Sequence, residues 1–160
     1  MESGSKDPVL VRCKSSTGTV DVVAKLRGAL PRDTFGLAIE YVAASFAKDL
    51  GLDCGDIVAV EFSEALVHAA EAAGQIKLSK LIERSLGLNV GSIFLGSGFS
   101  VVIPGIMGTG AFRETLSGIF AFDFLIQNFD RVSSNPNLMR KGKHLTCSMT
   151  FIRRCPQMSC

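Results

Sequence analysis

The sequence predicts an α+β fold built on an antiparallel sheet. Three observations carry that expectation. Two β-rich runs near the start are joined by a glycine-containing turn. Apolar residues later recur at helical spacing in two long stretches. The elements then run strand, strand, helix, strand, helices, strand, helix, loop, without the regular alternation of a parallel sheet.

Val9 to Cys13 is the first β-rich run, Ser15 to Gly18 (S-S-T-G) a turn, and Thr19 to Leu26 (T-V-D-V-V-A-K-L) the second run. Together they read as a hairpin. Arg27 to Arg32 contains Gly28 and Pro31 and reads as a loop. Asp33 or Thr34 can cap a helix that continues to about Leu50, where Gly51 supplies the stop. Phe35, Ile39, Val42, Phe46 and Leu50 form one apolar stripe on it.

Asp56 to Phe62 is a third strand candidate. Ser63 caps a helical stretch that breaks near Gly74 and resumes from Ile76 to Leu86. Ser92 to Pro104 mixes β-formers with Gly96 and Gly98 and reads as a strand with a kink or bulge. A second strong helix spans about Phe112 to Asn128, with Ile119, Phe122, Leu125, Ile126 and Phe129 on its apolar side. A loop, V-S-S-N-P-N, follows Asp130, and Lys141 to Lys143 suit a turn between two further strands.

Composition narrows the functional classes. The chain has 160 residues, 47% hydrophobic and 20% charged, which suits one globular domain with a real core. The net charge of +2 is too small to argue for nucleic acid or an anionic membrane, since both need clustered basic surface. No apolar run approaches the roughly 20 residues of a spanning helix. The opening M-E-S-G-S-K-D-P lacks the apolar core of a signal peptide, so the expected setting is cytoplasmic.

Five cysteines, Cys13, Cys54, Cys147, Cys155 and Cys160, form no C-x-x-C pair, and their odd number argues against a closed disulfide framework. Reduced thiols are the expectation, with metal binding the alternative. His68 and His144 have no metal-like or triad-like partner in sequence, and His68 reads as a surface or packing residue of a helix.

Three elements carry chemistry. V-V-A-K ends at Lys25, late in a strand behind a hairpin, as in the V-A-I-K pattern of kinases. Phosphoryl transfer needs a fixed cation at the nucleotide phosphates, held by an acid on the next helix, and that helix offers Glu40. The same residues also suit an ordinary solvated lysine and glutamate. Next, N-F-D-R-V-S-S-N-P-N, Asn128 to Asn137, places Asp130 and Asn135 in the D-x-x-x-x-N spacing of a kinase catalytic loop. There the aspartate takes or orients the hydroxyl proton and the asparagine gives a neutral oxygen to magnesium. An Asx-rich turn is the other reading of that stretch. The three elements occur in the order a kinase requires.

Ile39 to Leu52 (I-E-Y-V-A-A-S-F-A-K-D-L-G-L) and Phe122 to Leu138 (F-D-F-L-I-Q-N-F-D-R-V-S-S-N-P-N-L) resemble the corresponding segments of bacterial HipA-like kinases. The resemblance covers roughly Val9 to Leu145, with the catalytic-loop segment its most specific part. It implies a protein-kinase-like fold: a small antiparallel sheet lobe plus the first part of a helical lobe, incomplete, over residues 1–145, with 146–160 a tail. It implies an ATP- and Mg2+-dependent serine/threonine kinase. Known members of the family include toxins of toxin–antitoxin pairs, so the implied partners are a protein substrate and an antitoxin-like protein. Lys25 would contact ATP phosphates, Glu40 would pair with it, Asp130 would be the catalytic base and Asn135 a magnesium ligand.

The pattern departs from the family in three places. No G-x-G-x-x-G precedes Lys25; the nearest phosphate-loop candidate is S-G-S-K, with Gly4 and Ser5, and a flexible terminus is the alternative. No Asp or Glu follows Asp130, although a second metal-binding aspartate is expected shortly after Leu145, where Cys147, Ser148 and Met149 stand. The remaining helices of a kinase lobe are also absent. These departures predict weak or no turnover, a non-catalytic nucleotide-binding or interaction role as the alternative, and self-association through Phe120, Phe122, Phe124 and Phe129. They also suggest a tail read out of frame. Met149-Thr150 is encoded ATG-ACN, and the frame that begins at that G reads GAC, aspartate. The coding DNA shifted by one base after Leu145 is therefore expected to stay open; an immediate stop there would refute the frame shift.

Overall fold

The computed structural model describes residues 8–29, 33–102, 110–129, 131, 137–142, 144–147 and 157–159. It is α+β, with four α-helices and two sheets among those residues. The chain divides into two compact units. One holds the residues up to Tyr41, Asp56–Phe94 and the last strand; the other holds Val42–Gly55 and the residues from Leu95 to the end of the penultimate strand.

The first unit begins with the expected hairpin, β1 (Val9–Ser15) and β2 (Gly18–Lys25), in register from Val9 opposite Ala24 to Ser15 opposite Gly18. The Ser15 hydroxyl closes the turn by donating to the Gly18 carbonyl at 3.1 Å. Val9 and Val11 on β1, and Val22 and Ala24 on β2, point into the core, as a two-residue period requires. Arg12 and Asp21 stand directly opposite on the pair, and Arg12 Nε donates to Asp21 Oδ1 at 2.8 Å. That hydrogen bond holds the Asp21 carboxyl below its ordinary value.

A short 3₁₀ turn, Arg27–Ala29, follows β2 and precedes α1 (Asp33–Asp49). Next come β3 (Ile57–Phe62), α2 (Glu64–Ala72), α3 (Ile76–Glu83) and β4 (Gly87–Ile93). Gly74 lies in the break between α2 and α3, as expected. Ser63 takes the extended conformation of a cap residue, but its side chain makes no capping hydrogen bond. The five-stranded sheet runs β3-β4-β2-β1-β8, where β8 is Gln157–Ser159. It is antiparallel except for the parallel pairing of β1 with β8. Leu66, Val67 and Ala70 of α2 and Ile82 of α3 cover the sheet core with Leu26, Val60 and Phe62.

Strand β4 corrects the sequence reading. The strand expected over Ser92 to Pro104 begins earlier, at Gly87, and ends at Ile93. Among the described residues of the rest of that stretch, only Ser100–Val101, β5, is extended, and it belongs to the second sheet. Gly91 explains why a glycine sits within a strand paired on both sides. A Cβ there would lie 2.5 Å from Val22 Cγ1 and 2.8 Å from the Val23 carbonyl, so only glycine fits the approach of β2.

In the second unit, β5, β6 (Leu138–Lys141) and β7 (His144–Cys147) form a three-stranded antiparallel sheet. Helix α4 (Gly110–Leu125) supplies Ile119 and Phe122 to a core with Ala47, Cys54, Val102, Leu138 and Leu145. The turn expected at Lys141 to Lys143 joins β6 and β7, and Lys143 itself lies outside the described residues.

Helix α1 packs on a face other than the one its largest residues suggest, whereas α4 buries Ile119 and Phe122 of its expected apolar side but not all of it. On α1 the buried positions are Leu37, Ala43, Ala44 and Ala47, while Phe35, Ile39, Val42, Phe46 and Leu50 are exposed. Small side chains let a helix backbone approach its neighbours closely, and the large stripe is left outside. On α4, Leu125 and the following Phe129 are 62% and 81% exposed, contrary to the expected apolar side. The α1 stop is as expected: Gly51 has φ +76°, its N–H donates to the Lys48 carbonyl, and Leu52 N–H reaches the Ala47 carbonyl.

Cys54 and Cys147 form a disulfide, so the expectation of reduced thiols does not hold for this pair. Spacing gave no sign of it, because the partners are 93 residues apart and meet only through the fold. Cys13 is not in a disulfide, and Cys155 and Cys160 lie outside the described residues. The backbone brings the pair together: Cys147 N–H donates to the Asp53 carbonyl at 2.7 Å, and the buried Thr146 hydroxyl donates to the same oxygen at 3.0 Å. Closing so long a loop restricts the unfolded chain, and Cys54→Ser should lower unfolding stability by about 2–4 kcal/mol. Urea denaturation of the oxidised chain measures that loss, and a stability unchanged within error would refute it.

Candidate functional site

Lys25 is the last residue of β2, paired with Val90 of β4. Its neighbours Ala24 and Leu26 are fully buried in the sheet core, so alternation sends the lysine to the opposite face. There its Nζ lies 2.6 Å from Glu40 Oε1 of α1. The side chains are 19% and 29% exposed, so the pair is partly shielded from water but accessible. The structure thus brings together the two residues that the sequence assigned to phosphate contact and its support. Leu37 of α1, one turn before Glu40, is buried and anchors that part of the helix.

The end of β2 is fixed by the turn just past Lys25. The Arg27 N–H donates to Asn89 Oδ1 at 3.0 Å, and the Gly28 N–H donates to Ser85 Oγ at 2.9 Å. Asn89 is completely buried, and its Nδ2 donates to the carbonyls of Ser85 and Gly87 at 2.7 and 2.9 Å. Ser85, equally buried, returns its own proton to the Leu81 carbonyl at 2.8 Å. Arg27 Nη2 donates to the Leu86 carbonyl at 2.8 Å. Gly28 is small because a Cβ would meet Arg84 Cβ at 2.8 Å. The turn after the lysine is therefore docked on the α3–β4 connection by bonds that a free loop would leave to water.

The second unit carries a second charged pair. Asp123, on the last turn of α4, is buried, and Arg131 donates to both its oxygens: Nε to Oδ2 at 2.5 Å and Nη2 to Oδ1 at 3.3 Å. Asn128 Nδ2 donates to Asp123 Oδ1 at 2.8 Å. Arg131 Nη1 reaches the Asn137 carbonyl at 2.5 Å. Asp130 and Asn135, the expected catalytic base and magnesium ligand, lie outside the described residues, as do Gly4 and Ser5.

His68 is on the surface of α2, 3.4 Å from Glu71, as expected of a surface residue. His144 has a partner that its sequence neighbours did not reveal: its Nε2 lies 2.6 Å from Asp53 Oδ2. Among the described residues no group of three or more His, Cys, Asp or Glu side chains is assembled to hold a metal ion. Among them also, no helix is long and apolar enough to cross a membrane. Lys25 suits a phosphate by its chemistry, as a cation on a strand end whose direction is set by a carboxylate. Comparison with family models, with curated proteins and with solved structures found no match to this chain.

Sequence reasoning missed Asn89, Ser85 and the Asp123–Arg131 pair. Asn89 gave no signal, since a lone asparagine before a strand is ordinary. Asp123 did give one, as the single acid in the apolar run F-A-F-D-F-L-I. Replacing Asn89 by alanine removes three hydrogen bonds and strands buried backbone groups, at a cost of about 2–4 kcal/mol. Chemical denaturation of Asn89→Ala reads that directly; a change under about half a kcal/mol, on the scale of surface substitutions, would refute it.

Proposed function

We propose that the chain is a HipA-like, kinase-fold nucleotide-binding protein that transfers the ATP γ-phosphate to a protein serine or threonine, weakly at most. The observation that carries this reading is the Lys25–Glu40 ion pair at 2.6 Å, a strand-end lysine held by the next helix. Supporting it are the antiparallel sheet behind the lysine and the D-x-x-x-x-N stretch from Asp130 to Asn135. Lys25 would hold the nucleotide phosphates and Glu40 would aim it. Asp130 would take the hydroxyl proton, and Asn135 would offer an oxygen to magnesium, which when bound offsets phosphate charge. The setting proposed is the cytoplasm. Reductants there would keep Cys54 and Cys147 as thiols, so the disulfide's stabilising effect belongs to the oxidised chain.

A second reading is a non-catalytic nucleotide-binding or protein-interaction module. It is favoured by Cys147, Ser148 and Met149 standing where a metal-binding acid is expected and by Phe120, Phe124 and Phe129, which are 74%, 80% and 81% exposed. Phe122, also assigned to that surface by the sequence, is buried instead. Loss of a metal-binding acid should cost turnover heavily, because charge stabilisation supplies most of phosphoryl-transfer catalysis. Turnover that disappears in Asp130→Asn belongs to the kinase reading. Nucleotide binding indifferent to that change belongs to the non-catalytic one.

Thermal unfolding of the full chain with ATP, with and without magnesium, tests nucleotide binding first. ATP at about a hundred times its dissociation constant should stabilise the fold by about 2.7 kcal/mol. The shift should depend on magnesium, vanish in Lys25→Ala and weaken in Asn135→Ala. A folded chain with no shift at millimolar ATP would overturn the nucleotide reading.

A further inference from the structure

Helix α4 presents two kinds of surface. Ile119, Phe122 and Asp123 are buried in the second unit. On the exposed side, residues four apart form rows along the helix. Leu116, Phe120 and Phe124 make a row of large apolar side chains, all exposed. Ser117, Ala121 and Leu125 make the next row, also exposed, and its first two members are small. A ridge of large residues thus runs beside a shallow strip. Leu125, the last residue of the helix, closes the strip.

Charge narrows what can cover this face. From Thr115 to Phe129 the only ionisable side chain is Asp123, which is buried and paired with Arg131. A strongly charged peptide or a nucleic acid would find no complement there. The helix carries one base, Arg113, beside one acid, Glu114, rather than the Lys- and Arg-rich polar face of a helix that lies on a membrane. The face suits a partner that is itself apolar and neutral, and a second copy of it has that chemistry.

A second copy also has the shape. When rows of residues four apart interdigitate, the ridge of one helix enters the groove of the other, with axes crossing at about −50°. A two-fold axis satisfies this twice, because each copy offers both a ridge and a strip. The area is sufficient as well. Phe120 and Phe124, with Leu116 and Leu125, offer on the order of 500 Å² per copy, taking about 200 Å² for a whole phenylalanine. Two copies would remove about 1,000 Å² from water, the lower bound of a specific interface.

We infer that α4 is a homodimerisation helix: two copies of the chain pack α4 against α4 about a two-fold axis, the Phe120–Phe124 ridge of each seated on the Ser117–Ala121 strip of the other. The inference deepens the protein-interaction reading, on whose exposed face it rests, and is independent of nucleotide binding.

The test is sedimentation velocity of the full chain from about 1 to about 100 μM, a span set by the affinity of so small an interface. The parent should pass from one copy to two, with a dissociation constant on the order of 10 μM, and stop there. Phe124→Glu puts a charge on the ridge, and Ala121→Arg fills the strip without touching the ridge. Each should raise the dissociation constant at least tenfold. Both positions are exposed, so melting temperatures of dilute samples should stay within about 2 °C of the parent. Leu88→Glu, at an exposed apolar residue of β4 in the first unit, is the control and should leave the dimer unchanged. Should Phe124→Glu fail to fold, Ala121→Arg decides. A parent that stays single, or that grows without stopping at two, overturns the inference. So does a dimer indifferent to both α4 variants, or one lost equally in Leu88→Glu. Where the parent stays single, turnover that disappears in Asp130→Asn removes the interaction reading too, and without such turnover only the dimer falls.

Discussion

The completely buried carboxamide of Asn89 is the constraint on which the geometry around Lys25 depends. It accepts from the backbone just past β2 and donates to the Ser85 carbonyl before β4 and to the Gly87 carbonyl at the start of β4, so it joins three segments at one point. A side chain with one acceptor and two donors can satisfy all three groups at once, which no apolar residue and no hydroxyl can do. Ser85 repeats the device one hydrogen bond away. Because unmet buried polar groups are costly, the strand can end at Lys25 in one way only. Ala24 and Leu26 are then locked inward and the lysine outward.

That rigidity decides how the Lys25–Glu40 pair should be understood. An ion pair between long mobile side chains gains little, since ordering them offsets most of the attraction. Here the lysine leaves a strand anchored on both sides and the glutamate leaves a helix anchored at Leu37, so much of the ordering is done before the charges meet. The pair is a weak contributor to folding but a good means of aiming a cation. A phosphate arriving at Lys25 would find a charge already placed, which is the condition for electrostatic catalysis or tight anion binding.

Much of the fold was legible in the sequence because local signals and tertiary structure agree there. The hairpin from Val9 to Lys25 announced itself by alternation and turn residues, and α1 by its period and Gly51. The strand β4 was not legible: L-N-V-G-S-I contains a glycine and an asparagine, both poor strand formers, each present for a tertiary reason. Gly91 admits β2, and Asn89 holds the turn after it. The packed face of α1 was not legible either. Its large residues and its alanines both satisfy the helical period, and only the neighbouring surfaces choose between them. Lys25 and Glu40 could be read because strand and helix order place them, whereas Cys54–Cys147 and Asp123–Arg131 depend on contacts that spacing does not encode.

Helix α4 inverts the usual partition of a helix. Its acid, Asp123, is inside, while Phe120 and Phe124 stand in solvent. Hydrophobic burial alone would rotate such a helix the other way, since two phenylalanines are worth several kcal/mol of transfer energy at about 1.5–3 kcal/mol each. What resists that rotation is local and specific. Ile119 and Phe122 are already seated in the core, and turning the helix would withdraw them. It would also strip Asp123 of Arg131 and Asn128, leaving a buried guanidinium without its carboxylate. The orientation is therefore set by a charge pair together with half of the apolar residues, against the other half. In a helix held in that way, the exposed aromatic face follows from where Ile119, Phe122 and Asp123 are held.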